Sequence, residues 1–68
     1  MNIKEYLLKE NISLRELARR LGISATYLAD LRDGRRKTIS YKTYIKFLTT
    51  APEININKIK KVIYKMED

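Results

Sequence analysis

The apolar residues of this chain recur with the period of an α-helix. Three segments place apolar side chains at positions i, i+3, i+4 and i+7, which share one helical face. These positions are Leu14, Leu17, Ala18 and Leu21; Tyr41, Tyr44, Ile45 and Leu48; and Ile59, Val62, Ile63 and Met66. A further segment at about residues 2–10 offers Ile3, Tyr6 and Leu7 as an inward face. β-Branched residues do not alternate with polar ones, so the pattern predicts helices and no strands.

Helix-capping residues stand at the predicted boundaries. Ser13 and Glu16 have the spacing of a capping box, in which each side chain bonds the other residue's backbone amide. The other predicted boundaries are start caps at Ser24, Ser40 and Asn55 or Asn57, and ends at Gly22, Gly34 and the residue before Pro52. These boundaries predict five helices in one domain that spans residues 1–68.

The second and third predicted helices are joined by only three residues, Gly22-Ile23-Ser24. So short a link makes the two helices cross steeply, as in a helix-turn-helix unit. Ala18 provides the small residue needed where the axes approach, and Gly22 tolerates a positive φ in the turn. Apolar residues on both helices can lock the crossing angle: Leu17, Leu21, Ile23, Leu28 and Leu31.

The charge of the chain favours a polyanionic partner. Fifteen Lys and Arg against eight Asp and Glu give a net charge of +7 and a pI of about 9.9, a balance that suits nucleic acid or an anionic membrane surface. The excess is concentrated in residues 32–46, directly after the third predicted helix. This segment contains Arg32, Arg35, Arg36, Lys37, Lys42 and Lys46 against only Asp33.

Several classes of chemistry lack the residues that they need. The chain has no cysteine and no histidine, which removes thiolate metal sites, the commonest zinc ligand and the usual general base. No glycine-rich phosphate loop or carboxylate dyad is present, and 68 residues are too few to enclose a substrate. We expect no enzymatic activity, cofactor or small-molecule ligand. No apolar run reaches membrane-spanning length, so we expect no membrane partner and a cytoplasmic location.

Three stretches together resemble the Cro/phage-repressor helix-turn-helix family, also called the Xre family. They are SLRELARRLGIS at the turn, YLADLRDGRR at the third helix and its exit, and SYKTYIKFL at the fourth helix. The resemblance covers residues 3 to about 59. It implies a compact five-helix bundle of the lambda repressor-like type, with a recognition helix at about residues 24–33 in the major groove of double-stranded DNA.

The resemblance implies base-reading positions at Ala25, Thr26 and Asp30, with Tyr27 beside them. These residues depart from the glutamine, asparagine or arginine common in the family, which bond adenine or guanine through two atoms. Thr26 can bond a base or place its methyl group against thymine, and Ala25 offers apolar contact only. Asp30 can accept from a cytosine amino group or be solvated or paired with an arginine. Tyr27 can reach DNA with its hydroxyl or pack its ring.

Further residues are expected at the DNA backbone or in the adjacent minor groove. The expected residues are Arg15, Arg19, Arg35, Arg36, Lys37, Thr38, Ser40, Tyr41 and Lys42. For residues 35–38 the alternative is a basic loop that is only solvated. Leu14 stands where the family commonly has a phosphate-binding glutamine, and Arg15 and Arg19 either compensate or are solvated. A helix N-terminus at Ser40 can hold a phosphate. A cation in that first turn, such as Lys42, opposes the positive end of the helix dipole, so its placement is better explained if a phosphate lies nearby.

The family implication is a small Cro-type repressor of a phage or mobile element in a bacterial or phage-infected cell. Such proteins bind palindromic operators as homodimers. Ile54, Ile56 and Tyr64 are candidate dimer contacts, although the commonest role of an amphipathic helix such as the fifth is to close the core. The alternative function is a helix-turn-helix protein-interaction module, either an adaptor or an antitoxin whose main contact is another protein.

Overall fold

The computed structural model describes residues 1–36 and 38–56, and four α-helices with no strand are found in these ranges. The helices are α1 (Ile3–Glu10), α2 (Leu14–Leu21), α3 (Ala25–Asp33) and α4 (Tyr41–Thr50). The all-α prediction is confirmed, but the predicted count of five helices is not matched. The predicted fifth helix and Lys37 lie outside the described residues. None of the helices described is long and apolar enough to cross a membrane.

Serine caps start three of the helices. The hydroxyls of Ser13, Ser24 and Ser40 accept from the backbone N–H three residues later, at 3.0, 3.0 and 3.2 Å. The predicted capping box at Ser13 is only half formed, because the Glu16 carboxylate bonds arginines of its own helix instead of the Ser13 amide. The guanidinium groups bring a full positive charge to the Glu16 carboxylate, which a backbone amide does not. The complete box lies at Asn2, which starts α1.

Left-handed residues end the first three helices. Gly22 and Gly34 have φ values of 72° and 82°, as predicted, and Asn11 ends α1 with φ 55°. At the end of α2, the Ile23 N–H donates to the Ala18 carbonyl at 3.0 Å and the Gly22 N–H to the Arg19 carbonyl at 3.1 Å. These two bonds give hydrogen-bond donors to carbonyl groups in the last turn of α2 that have no partner within the helix. They also turn the chain sharply toward α3.

The helix-turn-helix unit packs through the residues that the sequence indicated. Leu17, Ala18 and Leu21 of α2 are buried, as are Leu28 and Leu31 of α3. Ile23 is half-buried and packs against this core. The rest of the buried apolar set comes from α1, α4 and the segments around α4: Ile3, Tyr6, Ile39, Phe47, Ala51, Ile54 and Ile56. The predicted unit therefore forms the centre of the domain rather than an appendage to it.

The apolar face predicted for α4 is wrong. Tyr41, Ile45 and Leu48 are 44%, 38% and 43% exposed, and only Tyr44 of the predicted set packs against the core. The buried face consists of Thr43 and Phe47. Apolar residues occupy both sides of this helix, so periodicity alone fits either face. Burial of Thr43 becomes possible because its hydroxyl accepts a hydrogen bond from Ser40 at 3.2 Å.

The two isoleucines of the segment after α4 are part of the core. Ile54 and Ile56 are 2% and 3% exposed, so they are not available as the dimer contacts that the sequence suggested; Tyr64 lies outside the described ranges. The Asn55 N–H donates to the Met1 carbonyl at 2.8 Å, and the Met1 amino group donates to the Glu53 carbonyl at 3.0 Å. These bonds hold the segment against the start of α1, which turns both isoleucines inward.

Truncation of Leu28 tests the packing of α3. Leu28 is fully buried, so Leu28→Ala should lower the free energy of unfolding by about 2–5 kcal/mol through lost burial and the cavity left behind. That loss is comparable with the whole stability of a domain of this size. Urea denaturation followed by circular dichroism measures it. The control is Leu8→Ala, because Leu8 is 78% exposed; equal losses for the two variants would contradict the described packing.

Candidate nucleic-acid interface

The first turn of α3 carries small side chains, and Thr26 is the most accessible of them. Ser24 caps the helix by accepting from the Tyr27 N–H at 3.0 Å. Thr26 is exposed, so both its hydroxyl and its methyl group are accessible, whereas Ala25 and Ala29 are half-buried. Of the predicted base-reading residues, Thr26 is therefore the one that the fold leaves most open.

A lysine that the sequence analysis did not assign to the site braces the turn before α3. The Lys46 ammonium lies 3.4 Å from the Gly22 carbonyl oxygen, to which it donates. Gly22 closes α2, where the helix dipole is negative, so a cation is favourable at this point. The contact links α4 to the turn. Only the tertiary packing of α4 on α2 could reveal it, because the two residues are 24 positions apart.

The basic segment after α3 folds back onto the last turn of that helix. The Asp30 carbonyl accepts from the Arg35 N–H at 2.9 Å and from the Arg36 N–H at 3.2 Å. Gly34 supplies the left-handed conformation that allows this reversal. The backbone of both arginines is thereby held beside α3, at the edge of the predicted recognition surface.

The side chain of Asp30 is also bonded to this segment. Its Oδ1 atom accepts from the Arg35 Nε at 3.0 Å, and Asp33 Oδ2 accepts from the Arg35 Nη2 at 3.1 Å. Asp33 accepts two further bonds from Arg32, at 2.7 and 2.9 Å. Arg32, and secondarily Arg35, lower the pKa of the Asp33 carboxyl below its ordinary value. The arginine-paired alternative for Asp30 thus describes the free protein, while its base contact stays a prediction.

Tyr27 contacts the second arginine of the segment. The Arg36 guanidinium lies 4.8 Å from the centre of the Tyr27 ring, within the range of a cation–π interaction. The ring itself is half-buried and packs against the core. Positions 27 and 30, one helical turn apart, therefore each contact one of the two arginines that follow α3. Arg35 and Arg36 are called the exit segment below.

The two arginines predicted on α2 have different surroundings. Arg19 Nη2 donates to Glu16 Oε2 at 2.6 Å, and Arg20 Nε donates to the same oxygen at 2.9 Å. Arg19 and then Arg20 lower the pKa of the Glu16 carboxyl. Arg15 is exposed, and within the described part of the chain its side chain has no hydrogen-bond or ion-pair partner. No described contact joins Arg15 or Arg19 to the exit segment.

The start of α4 forms the remaining part of the predicted surface. Thr38, Ser40, Tyr41 and Lys42 are all exposed. The Ser40 hydroxyl caps the Thr43 N–H, and the rings of Tyr41 and Tyr44 lie 6.5 Å apart between centroids. The first turn of this helix contains no acidic residue, so nothing in it neutralises Lys42 or the positive end of the helix dipole.

The comparison with protein families agrees with this geometry. A family model described as helix-turn-helix matches residues 3–50, which include all four helices. The chain belongs to this family, in its Cro/C1 or Xre-like branch. No curated protein and no solved structure matches the chain.

Cro/C1-type helix-turn-helix proteins are DNA-binding regulators, and this chain carries their DNA-binding domain. In this helix-turn-helix protein, α2 is the first helix of the motif and α3 the second. Two charged residues of α3 that the site prediction omitted, Arg32 and Asp33, take part in the ion pairs at its end. The sequence signal for them was the run DLRDGRR, in which acids and arginines lie within one helical turn and its exit.

The ion pairs of Glu16 should make the stability of α2 depend on pH. Because its pKa is lowered in the folded state, Glu16 stabilises the fold above the ordinary value of 4.5 and loses this effect as pH falls through the lower folded value. Glu16→Gln should therefore reduce the unfolding free energy slightly at pH 7 and not at pH 2. Urea titrations at both pH values measure the difference.

The matched control for this prediction is the same substitution in an Arg19→Gln/Arg20→Gln background. There, Glu16→Gln should have a smaller effect at pH 7 than in the original background, because only the interaction of the carboxylate with the N-terminal end of the helix dipole remains. A loss at pH 7 that persists undiminished at pH 2 would show that the ion pairs are not its cause.

Proposed function

We propose that this protein is a sequence-specific regulator of transcription that binds double-stranded DNA, specifically a small Cro-type repressor of a phage or mobile element. The observation that supports this best is the exposed Thr26 in the first turn of α3, together with the backbone of Arg35 and Arg36 folded against the same helix. α3 enters the major groove, and the exit segment meets the DNA backbone at the groove edge.

Base contacts in this proposal come from a short stretch of α3. Thr26 reads a base edge with its hydroxyl or a thymine with its methyl group, and Ala25 lies against a thymine methyl. Both contacts discriminate between bases less strongly than the bidentate hydrogen bonds that arginine or glutamine makes with a base. Each half-site therefore supplies modest selectivity, and the shape of the groove contributes the rest.

Affinity in this proposal comes chiefly from contacts with the phosphate backbone of the DNA. Arg35, Arg36 and Lys37 neutralise phosphates or enter the narrow minor groove, and Thr38 lies beside them. The N-terminus of α4, with Ser40, Tyr41 and Lys42, holds a phosphate through its backbone amides and the lysine. Arg15 and Arg19 are further phosphate contacts on α2, and Arg15 is the more readily available since Glu16 already binds Arg19.

We further propose that the protein binds a palindromic operator as a homodimer, with half-sites about one helical turn of DNA apart. A two-fold operator matches two copies of the α2–α3 unit, and paired sites compensate for weak selectivity at each one. The dimer contacts lie elsewhere than at Ile54 and Ile56, because both are in the core.

One observation favours the second candidate function, a protein-interaction module. A groove of about 660 Å³ lies between α1 and the end of α3. Its lining is partly apolar, with Ile3, Leu7, Leu8 and Leu31, and Leu8 is largely exposed. A salt-titrated gel shift separates the two functions: absence of duplex binding at low salt would refute the DNA-binding proposal and leave this module as the candidate.

The exit segment is tested by removing its charge. Arg35→Ala/Arg36→Ala should weaken binding to every duplex sequence and reduce the slope of log K against log salt by about 1 to 2 units, since each lost phosphate contact removes close to one. Fluorescence anisotropy across a salt series measures both. Lys4→Ala/Lys9→Ala on α1 removes the same charge and serves as the control. Equal effects of the two pairs would exclude a local role for the exit segment.

Selection from a random duplex pool tests sequence specificity and the operator together. We expect a two-fold symmetric consensus, and Thr26→Ala should alter the preferred base at one position of each half-site while changing affinity for random DNA little. The reason is that a base contact specifies sequence, whereas a phosphate contact does not. A uniform loss of affinity for Thr26→Ala would argue against base reading there, and no enrichment would refute sequence specificity.

A further inference from the structure

Arg35 is held by acidic residues at the place where it is proposed to meet DNA. Its guanidinium bonds Asp30 through Nε at 3.0 Å and Asp33 through Nη2 at 3.1 Å. The Arg35 side chain is nevertheless 65% exposed. A phosphate can therefore reach the guanidinium from the solvent side without any change in the packing of α3.

The backbone geometry allows the arginine to exchange partners by moving its side chain alone. The Asp30 carbonyl bonds the amides of both Arg35 and Arg36, independently of the Asp30 carboxylate. Carboxylate and phosphate both offer paired oxygens that suit the fork of a guanidinium. A phosphate can thus replace the carboxylates of Asp30 and Asp33 as the partner of Arg35. The Arg35 guanidinium is then hydrogen-bonded both in the free protein and on DNA.

The two carboxylates are not equivalent in this exchange. Asp33 has a second guanidinium bound to both of its oxygens, that of Arg32 at 2.7 and 2.9 Å, so it keeps a counter-ion when Arg35 leaves. The side chain of Asp30 has no other ion-pair partner among residues 1–36 and 38–56. Loss of Arg35 would leave the Asp30 carboxylate unpaired and close to DNA phosphates, which repel it.

We propose that Asp30 is an internal competitor of DNA phosphate for Arg35 and lowers the affinity of the protein for duplex DNA in general. This inference rests on the proposed DNA-binding function and adds a role for Asp30 that is distinct from base reading. Its consequence is selectivity. Most non-specific affinity is electrostatic, so a carboxylate that restrains one arginine weakens binding to random DNA. Contacts on α3 then decide a larger share of the difference between sites.

A double-mutant cycle on Asp30 and Arg35 tests the proposal, with a random-sequence duplex as the probe at low salt. Asp30→Asn keeps the size of the side chain and removes its charge. It should tighten binding about threefold to fivefold, in line with the loss of an exposed ion pair. In the Arg35→Ala background the same substitution should tighten binding by no more than about twofold, because no restrained arginine remains and only direct repulsion is relieved.

The charge-matched control is Glu53→Gln, which also raises the net charge by one. Glu53 lies after α4 and pairs with Lys9 at 3.0 Å, away from the exit segment. The substitution Glu53→Gln should change duplex affinity by less than about twofold. Circular dichroism establishes that each variant is folded, and Asp30→Ser replaces Asp30→Asn if the latter does not fold.

Each outcome bears on a different statement. Weaker binding by Asp30→Asn, or an equal gain in both backgrounds, would overturn the competitor role while leaving the proposed function intact. Equal gains for Asp30→Asn and Glu53→Gln would reduce the effect to net charge and overturn it as well. Failure of the unsubstituted protein to bind any duplex at low salt would refute the proposed function and this inference with it.

Discussion

The left-handed turn at Gly22 is the constraint on which the arrangement of the domain depends. With φ at 72°, Gly22 allows the bond from Ile23 to Ala18 that ends α2, and Ser24 caps α3 two residues later. A side chain at position 22 would meet only the Lys46 ammonium at 3.5 Å, an ordinary contact. Glycine is therefore favoured by the backbone conformation rather than by lack of space. Without this turn, the apolar faces of α2 and α3 would not meet and α3 would lose its orientation.

Charge is the second principle that organises the molecule. A chain of 68 residues with a net charge of +7 concentrates its arginines near the proposed DNA surface, yet most of them already have partners. Glu16 holds Arg19 and Arg20 on α2, whereas the arginines of α3 and its exit segment contact Asp33, Asp30 and the Tyr27 ring. These exposed contacts add little stability. Their greater effect is to set where each guanidinium lies before DNA arrives, and therefore which ones must exchange partners on binding.

The proposed site was predictable in its position more than in its contacts. The run of basic residues after α3 can be read directly from the sequence. The outward position of Thr26 follows from helical period and from the two glycines that bound the helix. The pairing of Asp30 with Arg35 was one of three possibilities, because a cytosine amino group, solvent and an arginine can each satisfy a partly exposed carboxylate. The stacking of Arg36 on Tyr27 and the contact of Lys46 with the Gly22 carbonyl were not foreseen. Each depends on the path of the chain after a turn, which a periodic pattern does not contain.

The sequence by itself determined the features that rest on local geometry. Serine caps, left-handed glycines, the length of the turn and the facing leucines of α2 and α3 all act within a few residues, so their chemistry can be recognised in order along the chain. Tertiary structure alone decided which side of α4 is buried and that Ile54 and Ile56 belong to the core. α4 has apolar residues on both sides, and the choice of Phe47 over Ile45 and Leu48 depends on what packs opposite. The isoleucines are turned inward by bonds between Met1 and residues more than fifty positions away.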